Sequence, residues 1–222
     1  MRAMLRIMSW KGLAFGLVFL SLAGLSVSAA DATKEKVTVT AKDKVSVDLN
    51  ADVTVFEGGV KIAYGDVEIM AERAEVRERK IATLTGGAKL VQSDMVLRGE
   101  VFTAYISEKT VIAEGGIVLT KEEETDTITV ECDKMELSTK TRGFKAEGNV
   151  RVRKGSSWAK ANQATYVEND KVIVLQGDVV AEGKNGESIK CEKLIFRTDR
   201  DYMEAETEVV FEFEIDEDAN DM

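Results

Sequence analysis

The sequence contains no histidine and no proline, and only 6% of its residues are aromatic. The absence of histidine excludes most general acid–base pairs and most nucleophile–base pairs, because histidine is the side chain whose ordinary pKa lies closest to neutrality. The sequence also lacks a phosphate-binding loop and a set of His and Cys residues with metal-ligand spacing. We therefore predict that the protein is not an enzyme, with no catalytic residues, no metal and no cofactor.

Basic residues are outnumbered as well: 30 Lys and Arg stand against 40 Asp and Glu, a net charge of −10. Such an acidic chain is a poor candidate for binding nucleic acid or an anionic membrane surface. The acidic stretches 122–124 and 214–218 offer at most a weak Ca²⁺ site. The carboxylates lie in loops or at outward positions with no cleft implied, which also argues against a glycosidase pair.

Residues 1–29 differ in composition from the rest of the chain. Three basic residues and a short apolar run, 12–25, are followed by the small residues of SVSAADA. A basic start, an apolar run and a small-x-small end, here Val27 and Ala29, are typical of a secretory signal peptide. We predict cleavage after Ala29, or after Ala30, which leaves 27 basic against 40 acidic residues and a net charge of −13. An uncleaved inner-membrane anchor is the alternative.

A glycine followed by Gly, Asn or Asp and an apolar residue recurs along the chain at spacings of 28, 29, 33 and 29 residues. A period of this length indicates a repeat architecture in which each unit buries its apolar face against its neighbours. The longer interval contains four extra residues in TKEEETDT, a charged surface loop. The five occurrences are Gly58-Gly59-Val60, Gly86-Gly87-Ala88, Gly115-Gly116-Ile117, Gly148-Asn149-Val150 and Gly177-Asp178-Val179.

A second motif follows each of these glycines. Its apolar positions keep period 2, slip by one residue after a small side chain and then resume period 2, which predicts a β-bulge. The motif reads Ile69-x-Ala71-x-x-Ala74-x-Val76, Leu97-x-Gly99-x-x-Phe102-x-Ala104, Val130-x-Cys132-x-x-Met135-x-Leu137, Ala159-x-Ala161-x-x-Ala164-x-Tyr166 and Ile189-x-Cys191-x-x-Leu194-x-Phe196.

The stretch FKAEGNVRVR (144–153) shows what the glycine pair does. A Gly-Asn pair suits a two-residue hairpin turn, but the apolar parity runs unbroken through Phe144, Ala146, Gly148 and Val150. We therefore predict that the first glycine faces inward within one long strand, creased at its middle. The predicted fold is all-β: a repetitive antiparallel arrangement of two sheets joined along a crease, folded like a taco, built from about five units of about 29 residues. A hairpin meander is the alternative.

The segments AEGGI, AEGNV and LQGDV, each followed by the second motif, resemble the OstA-like domain of the periplasmic lipopolysaccharide-transport proteins. The resemblance covers roughly 37–215, and the complete lack of proline and the acidity of the chain depart from it. It implies a β-jellyroll open along one edge, whose interior shields lipid A acyl chains. It also implies head-to-tail contacts between terminal strands of successive domains, and it carries no catalytic residues. We expect one such domain at 30–215, followed by an acidic tail at 216–222.

On this interpretation the inward rows line a lipid-binding groove, and an ordinary dry core is the alternative. Small inward residues and few aromatics favour the groove, because a sealed core would be thin. The candidate groove residues are Ile62, Ile69, Val76, Leu90, Leu97, Phe102, Leu119, Met135, Leu137, Val152, Tyr166, Leu194 and Phe196.

The terminal strands have no neighbour beyond them in the repeat, so each is an open edge that can accept a strand of another chain. The alternative is that their charges only discourage aggregation. We predict head-to-tail homo-oligomers and contacts with other OstA-like domains at the inner and outer membranes. The edge residues that would make these contacts are Val37, Val39, Val45, Val47, Phe211 and Phe213.

Two further features have two interpretations each. Arg151, Arg153 and Lys154 form a basic cluster that meets a phosphate or is simply a solvated strand face and turn. Trp158 is a packing anchor at a sheet rim or a lipid contact.

Cys132 and Cys191 occupy the same motif position two units apart, roughly 19 Å at ordinary strand spacing. That distance excludes a disulfide, so we predict two buried free thiols.

The predicted function is a periplasmic bridge that shields the acyl chains of lipopolysaccharide, or a related glycolipid, between the inner and outer membranes. The alternatives are an inner-membrane-anchored relative and a secreted structural or carbohydrate-binding β-solenoid.

Overall fold

The computed structural model describes residues 36–124, 126–200 and 202–214. All of these residues belong to one compact unit. The predicted signal peptide, 1–29, the tail, 216–222, and the domain limits at 30 and 215 lie outside the described residues.

The described residues form fourteen β-strands and no helix. No apolar helix of membrane-spanning length occurs in this part of the chain. The all-β prediction is therefore confirmed. The strands are β1 (Thr38–Thr40), β2 (Lys44–Asp48), β3 (Val53–Tyr64), β4 (Val67–Arg77), β5 (Ile81–Gln92), β6 (Met95–Tyr105), β7 (Thr110–Glu122), β8 (Thr127–Ser138), β9 (Phe144–Lys154), β10 (Ser157–Val167), β11 (Val172–Glu182), β12 (Ser188–Arg197), β13 (Tyr202–Glu206) and β14 (Val210–Glu212).

The strands form one antiparallel sheet in which each long strand, β3 to β12, pairs with the long strands next to it in the sequence. At the two ends, β3 pairs with both β1 and β2, and β12 pairs with both β13 and β14. Each terminal segment thus consists of two short strands with a break between them. The breaks fall at 41–43 and 207–209, in line with the crease of the long strands.

Each glycine pair lies inside a long strand, so the hairpin meander is wrong. In β9, Gly148 and Asn149 have φ values of +75° and +48°. The β8–β9 register passes from Glu131↔Arg151 to Lys134↔Glu147, which leaves two residues of β8 opposite three of β9. The extra residue therefore lies on the glycine strand, and the prediction that placed it on the neighbouring strand is wrong. Two left-handed residues in succession, which Gly and Asn tolerate, crease the strand.

The prediction that the glycine faces inward is also wrong. A Cβ on Gly148 would overlap the carboxylate of Asp133, an exposed residue of the neighbouring strand. A Cβ added to Gly115 would lie 2.7 Å from Glu100 Oε2. Because φ is positive, the missing side chain would point toward a row of polar residues along the crease rather than into the interior. Glycine is needed here to make room for those side chains.

The crease divides the sheet into two halves. The first half-sheet holds β1, β14 and the connections that follow β3, β5, β7, β9 and β11. The second half-sheet holds β2, β13 and the connections that follow β2, β4, β6, β8, β10 and β12. The inward-facing side chains of both halves form one apolar cluster, of which Leu84, Leu90 and Met135 are completely buried. We call the line where the turns of the two half-sheets meet the seam.

Candidate functional site

The interior of the folded sheet contains every candidate groove residue. Twelve of the thirteen are between 0% and 5% exposed, and Val76 is partly buried against them. The parity of the sequence therefore assigned their direction correctly, because period 2 sends alternate side chains to the same face. That they line a groove for lipid stays a prediction, since the structure has them packed together in one apolar core.

The interior opens at its C-terminal end. A cavity of about 300 Å³ lies between β12, the two short strands that follow it and the turn 183–187. Its apolar wall consists of Ile189, Phe196, Met203 and Phe211. Lys154, Lys184 and Glu187 stand at the same cavity. A cavity with an apolar wall and charged residues at its margin can accommodate an amphiphile. We call this cavity the C-terminal mouth.

Inward-facing apolar side chains are left uncovered at both ends of the sheet. Val45 and Val47 of β2 are 52% and 58% exposed, and Phe211 and Phe213 are 54% and 63% exposed. Val45 pairs with Phe56, and Phe211 pairs with Ile189, so each continues an interior row. Among the described residues, the remaining large exposed apolar side chains are Leu49, Val167, Tyr202, Val209 and Val210, of which Val167 lies away from the ends.

The other predicted edge residues are less accessible. Val37 and Val39 are half-buried and pack against the core, with Val39 paired to Ile62. The uncovered apolar surface at the N-terminal end therefore belongs to the second half-sheet. At the C-terminal end it includes β14, in the first half-sheet. Within the described part of the chain, the outer edges of β1, β2, β13 and β14 pair with no further strand.

The inward rows end in polar residues at the seam. In the first half-sheet the rows that contain Ile62 and Leu90 continue to Tyr64 and Gln92, both buried. The Tyr64 hydroxyl donates to Thr139 Oγ1 at 3.3 Å, and Gln92 Nε2 donates to the Thr139 carbonyl at 2.8 Å. Thr139 belongs to the second half-sheet, so both hydrogen bonds cross the seam.

Six charged side chains extend this contact, and we call them the seam cluster. Asp94, Lys121 and Glu123 belong to the first half-sheet and Arg142, Glu168 and Lys171 to the second. Lys121 is 2% exposed. Its ammonium group contacts Asp94, Glu123 at 3.2 Å and, across the seam, Glu168 at 3.6 Å.

Two further ion pairs of the cluster cross the seam. Arg142 contacts Asp94, and Lys171 Nζ lies 4.0 Å from Glu123 Oε1. Within the second half-sheet, Lys171 Nζ donates to Glu168 Oε1 at 2.8 Å. Each of the three cations thus contacts a carboxylate of the opposite half-sheet, and for Lys121, which is buried, these contacts offset part of the cost of burying its charge.

The electrostatics of Glu168 show how tightly the cluster is coupled. Burial by itself would raise the pKa of Glu168, but hydrogen bonds from Lys171 and Tyr166 and the positive charge of Lys121 outweigh it and hold the pKa below its ordinary value. Burial, followed by the hydrogen bond to Glu168, raises the pKa of Tyr166. The carboxylate is therefore charged and the phenol neutral at neutral pH.

The predicted basic cluster does not exist as a unit. Arg151 and Arg153 are exposed on the outer face of β9, whereas Lys154 is buried and lines the C-terminal mouth. Inward parity runs from Val152 to Lys154, so the two arginines point the opposite way. Trp158 lies on the outward parity with Lys160 Nζ 5.1 Å above its ring, and it does not line the interior.

Cys132 and Cys191 are buried free thiols, as predicted. Burial, and after it the charge of Asp133, raises the pKa of Cys132 to about 12. Burial raises the pKa of Cys191 as well. Both thiols therefore act as small apolar side chains. The described residues include no group of three or more acidic, Cys or His side chains arranged to hold a metal ion.

The seam cluster and most of the C-terminal mouth were missed from the sequence, although a signal was present. Lys121 and Lys154 continue the inward parity of Leu119 and Val152. A charged residue at an inward position indicates a buried partner, because an unpaired buried charge is costly. The identity of that partner requires the register of the whole sheet.

Comparisons with known proteins match the chain to one family. A family model described as LptA/(LptD N-terminal domain) LPS transport protein matches residues 38–202. No curated protein matches the chain. Among solved structures, the chain is similar to LptH, the LptA homologous periplasmic component of the lipopolysaccharide transport device from Pseudomonas aeruginosa. The identity is 11%, the TM-score is 0.25, and the match covers 82% of this chain and 96% of LptH.

Proposed function

The chain belongs to the LptA/(LptD N-terminal domain) family of lipopolysaccharide-transport proteins, and on that premise we propose that it shields the acyl chains of lipopolysaccharide, or of a related glycolipid, inside its folded sheet. It does so as an exported periplasmic carrier without catalytic activity. The observation that carries the proposal is the apolar interior that stays uncovered at both ends, at Val45 and Val47 and at Phe211 and Phe213. A closed structural domain has no need of such ends.

Burial of the acyl chains supplies the binding energy. Each methylene removed from water contributes about 0.8 kcal/mol, so a twelve-carbon chain gains roughly 10 kcal/mol. Net negative charge of the protein gives no attraction for an anionic glycolipid, so apolar burial dominates. The C-terminal mouth gives such a chain access to Phe196 and Met203, from which the interior continues toward Leu194.

The ends also support head-to-tail assembly. The chain runs from the first half-sheet to the second along β1 and β2, and from the second to the first along β13 and β14. A second copy whose β1 and β2 lie beside β14 and β13 therefore continues the antiparallel order of both half-sheets without a break. Charge favours this arrangement, because Lys42 and Lys44 stand at the N-terminal edge and Glu204 and Glu206 at the other.

Lipid extraction tests the shielding. Protein purified from its native compartment is extracted with organic solvent, and the extract is examined by mass spectrometry. A photoreactive phenylalanine at Phe102 or Phe196 is expected to cross-link to the lipid. The same group at Thr103, the outward neighbour of Phe102, is the control and is expected to give no adduct. An extract free of amphiphile, with no adduct at either inward position, contradicts the proposal.

The N-terminus decides between two forms of this function. Cleavage after Ala29 releases the carrier into the periplasm, whereas retention of residues 1–29 anchors it to the inner membrane. We propose cleavage, because the apolar run 12–25 is short for a membrane span and ends in small residues. N-terminal sequencing of the exported protein is expected to begin at Ala30. A retained Met1 supports the anchored relative instead.

A second candidate is a secreted structural or carbohydrate-binding β-solenoid. The complete burial of Ile69, Leu90 and Leu97 favours it, because a dry core needs no ligand. The extraction experiment separates the two functions, since a structural solenoid carries no amphiphile.

A further inference from the structure

A lipid carrier needs a route by which an acyl chain reaches its interior. The central groove residues, such as Leu90 and Phe102, are completely buried, so an acyl chain reaches them only if the two half-sheets separate. The interior cannot open at the crease, because the long strands run through it without a break. It cannot open between neighbouring strands either, because antiparallel hydrogen-bond ladders join them.

The seam is held differently. Among the described residues, no backbone–backbone hydrogen bond joins the turns of the first half-sheet to those of the second. The contacts that cross it involve side chains: Tyr64 and Gln92 with Thr139, and the three cross-seam ion pairs of the seam cluster. Separation at the seam therefore leaves every strand ladder intact.

The charges of the seam cluster divide unequally between the two half-sheets. The net charge on the first half-sheet is −1, from Asp94, Lys121 and Glu123. The net charge on the second is +1, from Arg142, Glu168 and Lys171. When the half-sheets part, Lys121 keeps Asp94 and Glu123, and Arg142 and Lys171 both keep Glu168. Every cation of the cluster therefore retains a carboxylate partner on its own half-sheet, and the opposite net charges of the two half-sheets attract one another.

We infer that the seam cluster is a reversible closure, and that an amphiphile with apolar chains enters the interior sideways through the seam at this cluster. This inference rests on the proposed function, because it assigns the route by which the interior is loaded. In the closed state the cluster keeps water out of the interior. In the open state it exposes a continuous apolar surface along the length of the sheet.

A chemical link across the seam tests the closure. Asp94 and Arg142 contact one another across the seam, and their side chains are 31% and 28% exposed, so both positions are open to reagents. Cysteines at these positions, D94C and R142C, are placed in a background that carries Cys132→Ala and Cys191→Ala. A short bis-maleimide joins them, and the same variant treated with a monofunctional maleimide is the unlinked reference.

The matched control is a link that leaves the seam free. Lys145 and Thr165 are register partners on the outer face of β9 and β10, within the second half-sheet. The variant K145C with T165C receives the same reagent in the same background. Far-UV circular dichroism and urea unfolding confirm that all linked forms retain the fold.

The measurement is the rate at which cis-parinaric acid, a fatty acid that fluoresces in apolar surroundings, enters the protein. The seam link is expected to slow uptake by about tenfold or more, and the control link to leave it unchanged. Arg142→Met, which removes a cross-seam ion pair, is expected to speed uptake by several-fold to about tenfold.

The outcomes separate this inference from the function on which it rests. Equal uptake rates in the seam-linked and unlinked forms overturn the closure and leave the lipid-binding interior standing, since loading then occurs through the ends. Failure of every form to take up the probe, including Arg142→Met, contradicts the lipid-binding interior and removes the closure with it.

Discussion

Replacing Lys121 by methionine measures how much the seam cluster holds the fold together. Methionine keeps the length of the side chain but leaves three carboxylates facing one another without their shared cation. Removing one partner of a fully buried ion pair costs about 3–5 kcal/mol. Lys121 is buried, but its partners keep 31%, 14% and 16% of their side-chain surface exposed, and water there relieves part of the penalty. We therefore expect the free energy of unfolding to fall by about 2–3 kcal/mol.

Urea unfolding followed by circular dichroism provides the assay. With a slope of roughly 2 kcal/mol per molar urea, the loss moves the midpoint down by about 1–1.5 M. Lys134→Met is the control, because its ion pair with Glu114 spans 3.5 Å between side chains that are 49% and 56% exposed. An exposed pair contributes at most about 0.5–1 kcal/mol. Equal midpoints for the two variants refute the idea that the cluster joins the half-sheets.

Acid gives an independent test of the same cluster. The folded-state pKa of Glu168 lies below its ordinary value, so its contribution to stability is fully present above the unfolded pKa. That contribution is lost as the pH falls through the folded pKa, and stability is expected to decline in the acid range below about pH 4.5. Glu168→Gln flattens this decline. The groups around Glu168 whose charge bears on it are Lys121, Glu123, Arg142, Tyr166 and Lys171. If the stability of Glu168→Gln declines with acid as steeply as that of the unaltered protein, Glu168 is not the group responsible.

Three further expectations concern the ends, the crease and the thiols. Phe211→Glu is expected to abolish concentration-dependent assembly in light scattering, while Val167→Glu, an exposed apolar position away from both ends, leaves it intact. Gly148→Ala is expected to lower the free energy of unfolding by about 1–2 kcal/mol, because an L-residue is strained at a φ of +75°. Asp133→Ala should recover the part of that loss that comes from overlap with its carboxylate, and full stability of Gly148→Ala alone contradicts the crease geometry. Cys132, whose pKa is about 12, is expected to react with a disulfide reagent at pH 8 at least about a hundredfold more slowly in the native protein than in urea. Equal rates mean that the thiol is accessible.

The direction of the interior residues could be predicted from the sequence because it depends on local periodicity alone. Phe144, Ala146, Val150 and Val152 alternate with charged residues, and all four are buried. The same pattern predicted a long strand instead of a hairpin at Gly148. Period 2 is a property of the strand itself, so no knowledge of neighbours was needed.

The details of the crease could not be predicted in this way. The parity slip at Cys132 and Met135 suggested that the bulge belongs to β8, but a bulge is a difference between two strands. Only the register, in which two residues of β8 face three of β9, assigns the extra residue to the glycine strand. The positive φ of Gly148 then turns its missing side chain toward Asp133, which no alternation pattern encodes.

The seam was beyond sequence reasoning for a different reason. Gln92 and Thr139 are 47 residues apart, and Tyr64 and Thr139 are 75 apart, so turns from distant parts of the repeat meet there. The repeat predicts which residues lie at the turns, but not which turn faces which. That pairing depends on the relative twist of the two half-sheets, which accumulates over many strands.

On the proposed function, the position of the seam would allow one molecule to have a dry core and still carry lipid. A sandwich closed by strand pairing would have to break backbone hydrogen bonds to admit a ligand. Here the ladders run along each half-sheet and around the crease, and side chains close the remaining side. The half-sheets can therefore part as two intact surfaces, and the cost is set by the apolar area exposed and by the cross-seam ion pairs. An acyl chain that takes the place of the opposite half-sheet covers that apolar area again, so the ion pairs are the part of the cost that the ligand does not restore.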